Sequence, residues 1–311
     1  MELVVTLALV MVLTCLWLPS LAQVQRGSQN RNCVNNGRQL LLALHLYAAE
    51  HQELLPPNED NNTQLDGWVA GDMTQANQAT NTLFLTDPRY AKLAKYTAPD
   101  ATLYRCPADQ STVSFGSLSV VRSQSSDTSF RTPHSAFRTS SSVVSGQSSS
   151  VRSPSSVVSS PSFARIRSIS MNQAVGTKRD GKSPVDGPWL NGGLYGNNSA
   201  KTGPYRTYGR LSAMTQAAPN QLWIFIDENE QSINDAGFAV TLHSRSTTAE
   251  WIDRPATSHQ MGCGVAFADG HAEIHRWHDR RTPVQPGQTL RATHPHSPDI
   301  QWLAQRTTAR K

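Results

Sequence analysis

The chain opens on an uninterrupted apolar run: Leu3 to Ala22 read LVVTLALVMVLTCLWLPSLA, without a charge. As a helix rising roughly 1.5 Å per residue this run reaches about 30 Å, the hydrocarbon thickness of a bilayer. No face of it is polar, so the pattern predicts a membrane-spanning helix over residues 3–22, kinked at Pro19. A polar stretch from Gln23 to Asn32 follows, and helical periodicity then resumes. Leu40, Leu44 and Tyr47 fall on one face with Leu41 beside them, and Pro56-Pro57 stops any helix. The expectation is a long N-terminal helix within residues 1–52, with an amphipathic second half.

The rest of the chain divides into three parts. Residues 53–110 form the first part of a globular domain, where Trp68 marks a short strand or loop and Leu83–Tyr96 a helix. Residues 111–163 are dominated by Ser, with loose repeats of Val, Arg and Thr. Such a composition cannot bury enough apolar surface to offset chain entropy, so a disordered insertion is expected. Residues 164–311 read as β-rich after a Gly/Asn/Pro/Tyr-rich loop region from Asp186 to Tyr208. Gln221–Ile226 is a continuous apolar strand ending in Asp227-Glu228, and Phe238-Ala239-Val240 reads as the next strand. Cys263–Ala268 alternates as a strand, Asp269-Gly270 is a hairpin turn signal, and His271–Trp277 is the return strand. On that strand His271, Glu273, His275 and Trp277 share one face, and Ala272, Ile274 and Arg276 the other.

Composition narrows the function classes. Hydrophobic residues make up 38% of 311 and mean hydropathy is -0.44, which suits a modest globular domain with long loops. The net charge of +5 comes from scattered arginines with no basic block, so nucleic acid is not an expected partner. Cys15 lies in the apolar run. Cys33, Cys106 and Cys263 are far apart with no CxxC pair, which excludes a zinc ribbon. In an oxidising compartment two of the three can pair, and Cys33–Cys106 is the expected disulfide.

Several stretches resemble one family. Met1-Glu2-Leu3-Val4-Val5 is similar to the second half of a prepilin signature, with Glu2 where that family keeps an acidic residue at the head of its apolar helix. Tyr104-Arg105-Cys106-Pro107-Ala108-Asp109 resembles a "CP-Asp" turn. His259 through Asp269-Gly270 resembles an H-x9-DG motif, followed by Asp299-Ile300-Gln301-Trp302-Leu303 near the end. Together these resemble type II secretion and type IV pilin-like pseudopilins of the H-x9-DG type found in Planctomycetes and Verrucomicrobia. The resemblance implies an α+β, pilin-like fold in which a long N-terminal membrane-spanning helix packs on an antiparallel β-sheet. It implies no enzymatic activity. A single-pass subunit of the bacterial inner membrane is expected, its globular part in the periplasm and its partners other pilin-like subunits and the secretion machinery. Glu2 would set assembly register, and Met1 would be an internal methionine of a longer product whose preceding residues are Gly-Phe-Thr-Leu.

Ligand-capable side chains gather in the C-terminal part. Asp227, Glu228, Asp253, His259, Asp269 and His271 are the candidate metal ligands, and the family resemblance points to calcium as the ion. His271, Glu273 and His275 on one strand face can also hold zinc. Alternatively Asp269 caps its turn, His259 bonds backbone across it, and no cofactor is needed. There is no HExxH, GxSxG or Gly-rich phosphate loop to support catalysis. Two other readings of the N-terminus stay open. Ser20-Leu21-Ala22 suits signal-peptide cleavage, giving a Sec-exported periplasmic binding protein that uses the His/Asp face. Cys15 offers a lipidation site, though Thr14 before it is bulky.

Overall fold

The N-terminal periodicity becomes a single helix, α1, spanning Glu2–Glu50. The computed structural model describes residues 2–59, 65–98, 100–115, 161–191, 203–242, 249–285 and 288–311. Within α1, the side chains of residues 2, 8, 9 and 12–22 lie outside that description. The chain divides into one unit of Met1–Val113 with Phe163–Lys311 and a second of Ser114–Ser162. Nearly all of the Ser-rich segment expected to be disordered lies outside the described residues. At its margins β1 (Thr112–Ser114) and β2 (Ser162–Ala164) form a two-stranded ladder.

The central sheet has five strands: β3 (Ile169–Asn172), β4 (Trp223–Asp227), β5 (Gly237–Phe238), β6 (Gly262–Phe267) and β7 (Ala272–Arg276). Their spatial order is β5-β3-β4-β6-β7. The strands expected at Gln221–Ile226 and Cys263–Ala268 are present, the one expected at Phe238–Val240 is instead the two-residue β5 one position earlier, and Asp269-Gly270 turns the β6–β7 hairpin with Gly270 at φ +96°. The expected all-antiparallel sheet is corrected at one edge, where β3 and β5 run parallel. Of the Leu83–Tyr96 segment only α3 (Leu83–Thr86) is regular helix, after the single turn α2 (Ala76–Ala79).

The second half of α1 lies on β4, β6 and β7. Leu40, Leu41, Leu44, Tyr47 and Ala48 are buried there with Trp68, Ile224, Phe225 and Ala266. Full burial of a leucine contributes about 2 kcal/mol. The opposite sheet face is covered by loops and by α4 (Pro298–Gln305), which begins with proline in its first turn. Trp223, Ile226, Val265, Phe267, Trp277, Ile300 and Leu303 fill that layer. β4 is buried along its whole length because both of its faces are covered. It also carries a bulge: the pairs Trp223↔Phe267 and Phe225↔Ala266 leave Ile224 over. The extra residue sends both Ile224 and Phe225 to the helix side, and alternation then places Ile226 away from α1 and Asp227 toward it.

The membrane-spanning part of the expected fold is overturned. Among the described residues, no helix is long and apolar enough to cross a membrane. The apolar run belongs to a helix that continues without a break into Gln23, Gln25, Arg26, Asn30 and Arg31. Its exposed and buried positions on the described second half follow a domain-packing stripe.

His275 on β7 stacks on Trp302 of α4, ring centroids 3.6 Å apart, and lies edge-on to Trp277. Burial pushes its imidazole down to about 4, although Asp299 pulls the other way and His278 and Arg306 add to the depression. Glu273 approaches its Nδ1 at 3.8 Å. Between pH about 4 and the ordinary histidine value near 6.5, the unfolded chain therefore binds more protons than the folded one. His275 stabilises fully above that window and the contribution is lost as pH falls through it. Phe at this position keeps the stack and removes the titration. His275→Phe is expected to lose less stability than wild type between pH 6.5 and 4, by on the order of 1–3 kcal/mol in urea unfolding. Equal losses in the two proteins would contradict the buried neutral imidazole.

Candidate metal centre

Cys33 lies on the same stripe of α1 as Gly37, Leu40, Leu44 and Tyr47, at helical spacings of four and three residues. That stripe faces the sheet, so the Cys33 thiol points at the end of β4. There its Sγ lies 3.1 Å from Asp227 Oδ2 and donates to it. The Cys106-Pro107 turn enters from the side, held by Arg105, whose Nε is 3.1 Å from Asp109 Oδ2. The backbone N–H of Cys106 donates to Ser168 Oγ at 2.8 Å, just before β3. Cys106 Sγ then sits 3.0 Å from His259 Nε2. His259 is delivered by a tight turn immediately before β6, in which Gln260 and Met261 both adopt the left-handed conformation (φ 56° and 65°). Two such residues in succession store strain of the kind that clusters at functional sites.

The potential ligand atoms of Cys33, Cys106, Asp227 and His259 all lie within 4.8 Å of one another, and all four residues are buried. A further set of groups orients them. Asn30, one turn before Cys33, places its Oδ1 2.7 Å from His259 Nδ1. A carbonyl oxygen only accepts, so Nδ1 carries the proton and the Nε2 lone pair points at Cys106. Ser168 Oγ donates to Asp227 Oδ1 at 3.2 Å, and the Gly264 N–H donates to Asp227 Oδ2 at 3.0 Å. The Ala108 N–H donates to Cys106 Sγ at 3.4 Å.

Electrostatics follow from the lack of solvent. The Cys33 thiol is held far above its usual range by its hydrogen bond with Cys106 and by burial. The same contact lowers Cys106, yet burial beside Asp227 leaves it raised overall. Burial pushes Asp227 up to about 6 against the pull of hydrogen bonds from Cys33, Gly264, Cys106 and Ser168. Burial also lowers His259, keeping the imidazole neutral. Without a cation the cluster is thus two protonated thiols, a neutral imidazole and a carboxyl raised to about 6. Two thiols, an imidazole and a carboxylate form a donor set suited to zinc and other thiophilic first-row ions, and a poor one for calcium, which takes oxygen ligands only.

The candidate ligands anticipated from sequence scatter. Asp227 and His259 meet in the cluster. Glu228, the next residue, is buried beyond the end of β4, where burial pushes its carboxyl up to about 8 despite hydrogen bonds from Ser170 and Ser232. Asp253 Oδ2 accepts from the Ala239 N–H at 2.6 Å. Asp269 and His271 bond each other at the hairpin turn, 2.5 Å between Oδ1 and Nδ1. Asp269 also accepts from the His271 N–H, which is the turn-capping role. His271 stacks on Phe267. The six therefore do not form one site, because strand alternation and the hairpin loop separate them. His259 bonds side chains of Asn30 and Cys106, where a backbone partner was expected. Cys33 and Cys106 are both free thiols, so the expected disulfide is corrected. The side chain of Glu2 lies outside the described residues.

What the sequence reading missed was the role of the two cysteines as partners of Asp227 and His259. One signal was available: Cys33 continues the Leu40–Leu44–Tyr47 stripe. No ligand spacing flags the cluster, since its four members come from four separate segments. No family model matches this chain, and no curated protein or solved structure matches it either.

Gly264 is where the cluster has least room. A Cβ there would lie 2.5 Å from Cys33 Sγ and 2.9 Å from Asp227 Oδ2. Gly264→Ala should destabilise by roughly 2 kcal/mol in urea unfolding, and Cys33→Ala in the same chain should restore part of that loss. Additive effects of the two substitutions would show that Cys33 and Gly264 do not touch.

Proposed function

We propose that this protein is a non-enzymatic structural subunit that assembles with copies of itself through the N-terminal part of α1, in a pseudopilin-like secretion or pilus-like fibre. One observation carries the reading. Leu3, Val4, Val5, Leu7, Val10, Met11 and Val24 are exposed, Leu3 by 74% and Met11 by 71%, on a helix whose second half packs one face on the sheet. Exposed apolar surface concentrated on one element marks an interaction site. The occupant most consistent with this surface is another α1: identical helices meet along apolar ridges, and the polar residues from Gln23 onward would limit the contact to the first part of the helix. The prepilin-like Met1–Val5 segment, the CP-Asp turn and the H-x9-DG motif point the same way. The secretion machinery is the partner this reading implies.

Site-specific photo-crosslinking of the full chain in its native host tests the proposal. A photoreactive residue at Leu7 should give a ladder of self-crosslinked species, and one at Leu65, exposed on the domain, should not. Leu7→Arg together with Val10→Arg should abolish the ladder. Recovery of the chain as a soluble monomer starting at Gln23 would overturn the proposal and favour an exported binding protein.

A further inference from the structure

We infer that Cys33, Cys106, Asp227 and His259 form a structural zinc centre that fastens α1 to the sheet. The inference stands on the geometry of the domain and is independent of how the protein assembles. Four donor atoms of the types zinc prefers already lie within 4.8 Å of one another. Tetrahedral zinc, with bonds of about 2.3 Å to sulfur and about 2.0 Å to nitrogen or oxygen, needs donor-to-donor edges of about 3.3–3.8 Å, about 3.5 Å between a sulfur and a nitrogen or oxygen. Two edges are now shorter, Cys33–Asp227 at 3.1 Å and Cys106–His259 at 3.0 Å, because hydrogen bonds close them. An ion replacing those two thiol protons would open both edges by about half an ångström and draw the remaining ones in.

The proton and charge balance is explicit. Cys33 and Cys106 each release one proton to solvent and bind as thiolates, Asp227 binds as carboxylate, and His259 binds through Nε2 as neutral imidazole. Two thiolates and a carboxylate against Zn²⁺ leave one net negative charge. The donors to offset it are in place: Ser168 Oγ–H and Gly264 N–H on Asp227, and Ala108 N–H on Cys106 Sγ. His259 has its second nitrogen fixed by Asn30, the outer-sphere bond that metal-bound histidines characteristically make. Gly264 keeps clear the space that a Cβ would take from Cys33 and Asp227. Cys106 also forms part of the wall of a groove of about 540 Å³ beside α1. With four protein ligands no position is open, so the centre is structural.

Full-length protein refolded with Zn²⁺ and passed over a desalting column should retain one zinc per chain by elemental analysis. Co²⁺ in its place should give intense visible bands of a tetrahedral site and a thiolate-to-cobalt charge-transfer band. Cys33→Ser, Cys106→Ser and His259→Ala should each lose stoichiometric zinc, whereas Cys263→Ser, whose buried thiol lies outside the cluster, should keep it. Asn30→Ala should weaken affinity about 10- to 100-fold while preserving the cobalt spectrum. The cobalt spectrum of wild-type protein reads the site even if a ligand variant fails to fold. Zinc-free protein with a Cys33–Cys106 disulfide by mass spectrometry, or zinc retained by Cys33→Ser and His259→Ala, would overturn the assignment.

Discussion

The contact on which the rest depends is the close approach of α1 to the β6–β7 hairpin at Gly37. A Cβ at Gly37 would lie 3.3 Å from the Ala266 Cβ and 3.5 Å from the Ala272 Cβ. Three small residues meeting across a helix–sheet interface bring the helix down onto the strands. Everything along the stripe is set by that distance. One turn earlier, Cys33 reaches Asp227 with a short side chain. One and two turns later, Leu40 and Leu44 are driven into the layer formed by Ile224, Phe225 and Trp68. A larger residue at position 37 would lift the helix, and a thiol cannot extend to follow the gap. The core and the cluster are thus products of one packing distance.

How much of this was legible in the sequence depended on whether the signal was local. The β6–β7 hairpin was, because Asp269-Gly270 supplies the turn and the flanking residues alternate. So was β4, since the five apolar residues in a row from Leu222 to Ile226 suit a strand covered on both faces. The amphipathic half of α1 followed from Leu40, Leu44 and Tyr47. The parallel β3–β5 pair was not visible, because Gly237-Phe238 is too short to show a period and its partner is set by the fold. The bulge at Ile224 was hidden inside the apolar run. It matters for chemistry: without the extra residue, Asp227 would face away from Cys33. The continuation of the apolar run into a polar, domain-packed helix was expected, but the membrane span was not found: among the described residues no helix is long and apolar enough to cross a membrane.

The site itself illustrates the limit more sharply. Sequence reasoning gathered carboxylates and histidines by nearness along the chain, and the fold gathered by face and depth. Asp269 and His271 are close to His259 in sequence and satisfy each other on the surface. Cys33 is 194 residues from Asp227 and touches it. Cysteines without a paired spacing read as disulfide partners or inert packers, yet here two of them converge on a carboxylate and an imidazole with the orienting hydrogen bonds already made.

Such a cluster is costly to bury unless it has a purpose. Asp227 is removed from water beside two thiols, and burial raises its carboxyl to about 6 even against the hydrogen bonds it accepts. Apolar residues of similar volume would pack the same space without that penalty, as they do immediately above it in the Leu40–Leu44 layer. The orienting groups cost more still: a strained turn at Gln260-Met261, and at position 264 a glycine inside a strand, where the lack of a side chain weakens the strand but leaves room for Cys33 and Asp227. A purely mechanical contact between α1 and the sheet would be better served by leucine and alanine. A cation changes the balance, because it supplies the charge that the carboxylate and two thiolates lack and makes each orienting bond favourable. In a subunit proposed to act by presenting its helix, a metal at residue 33 would fix the helix near where its polar, sheet-bound part begins. It would therefore act on the angle at which the exposed apolar segment is held, without any part in chemistry.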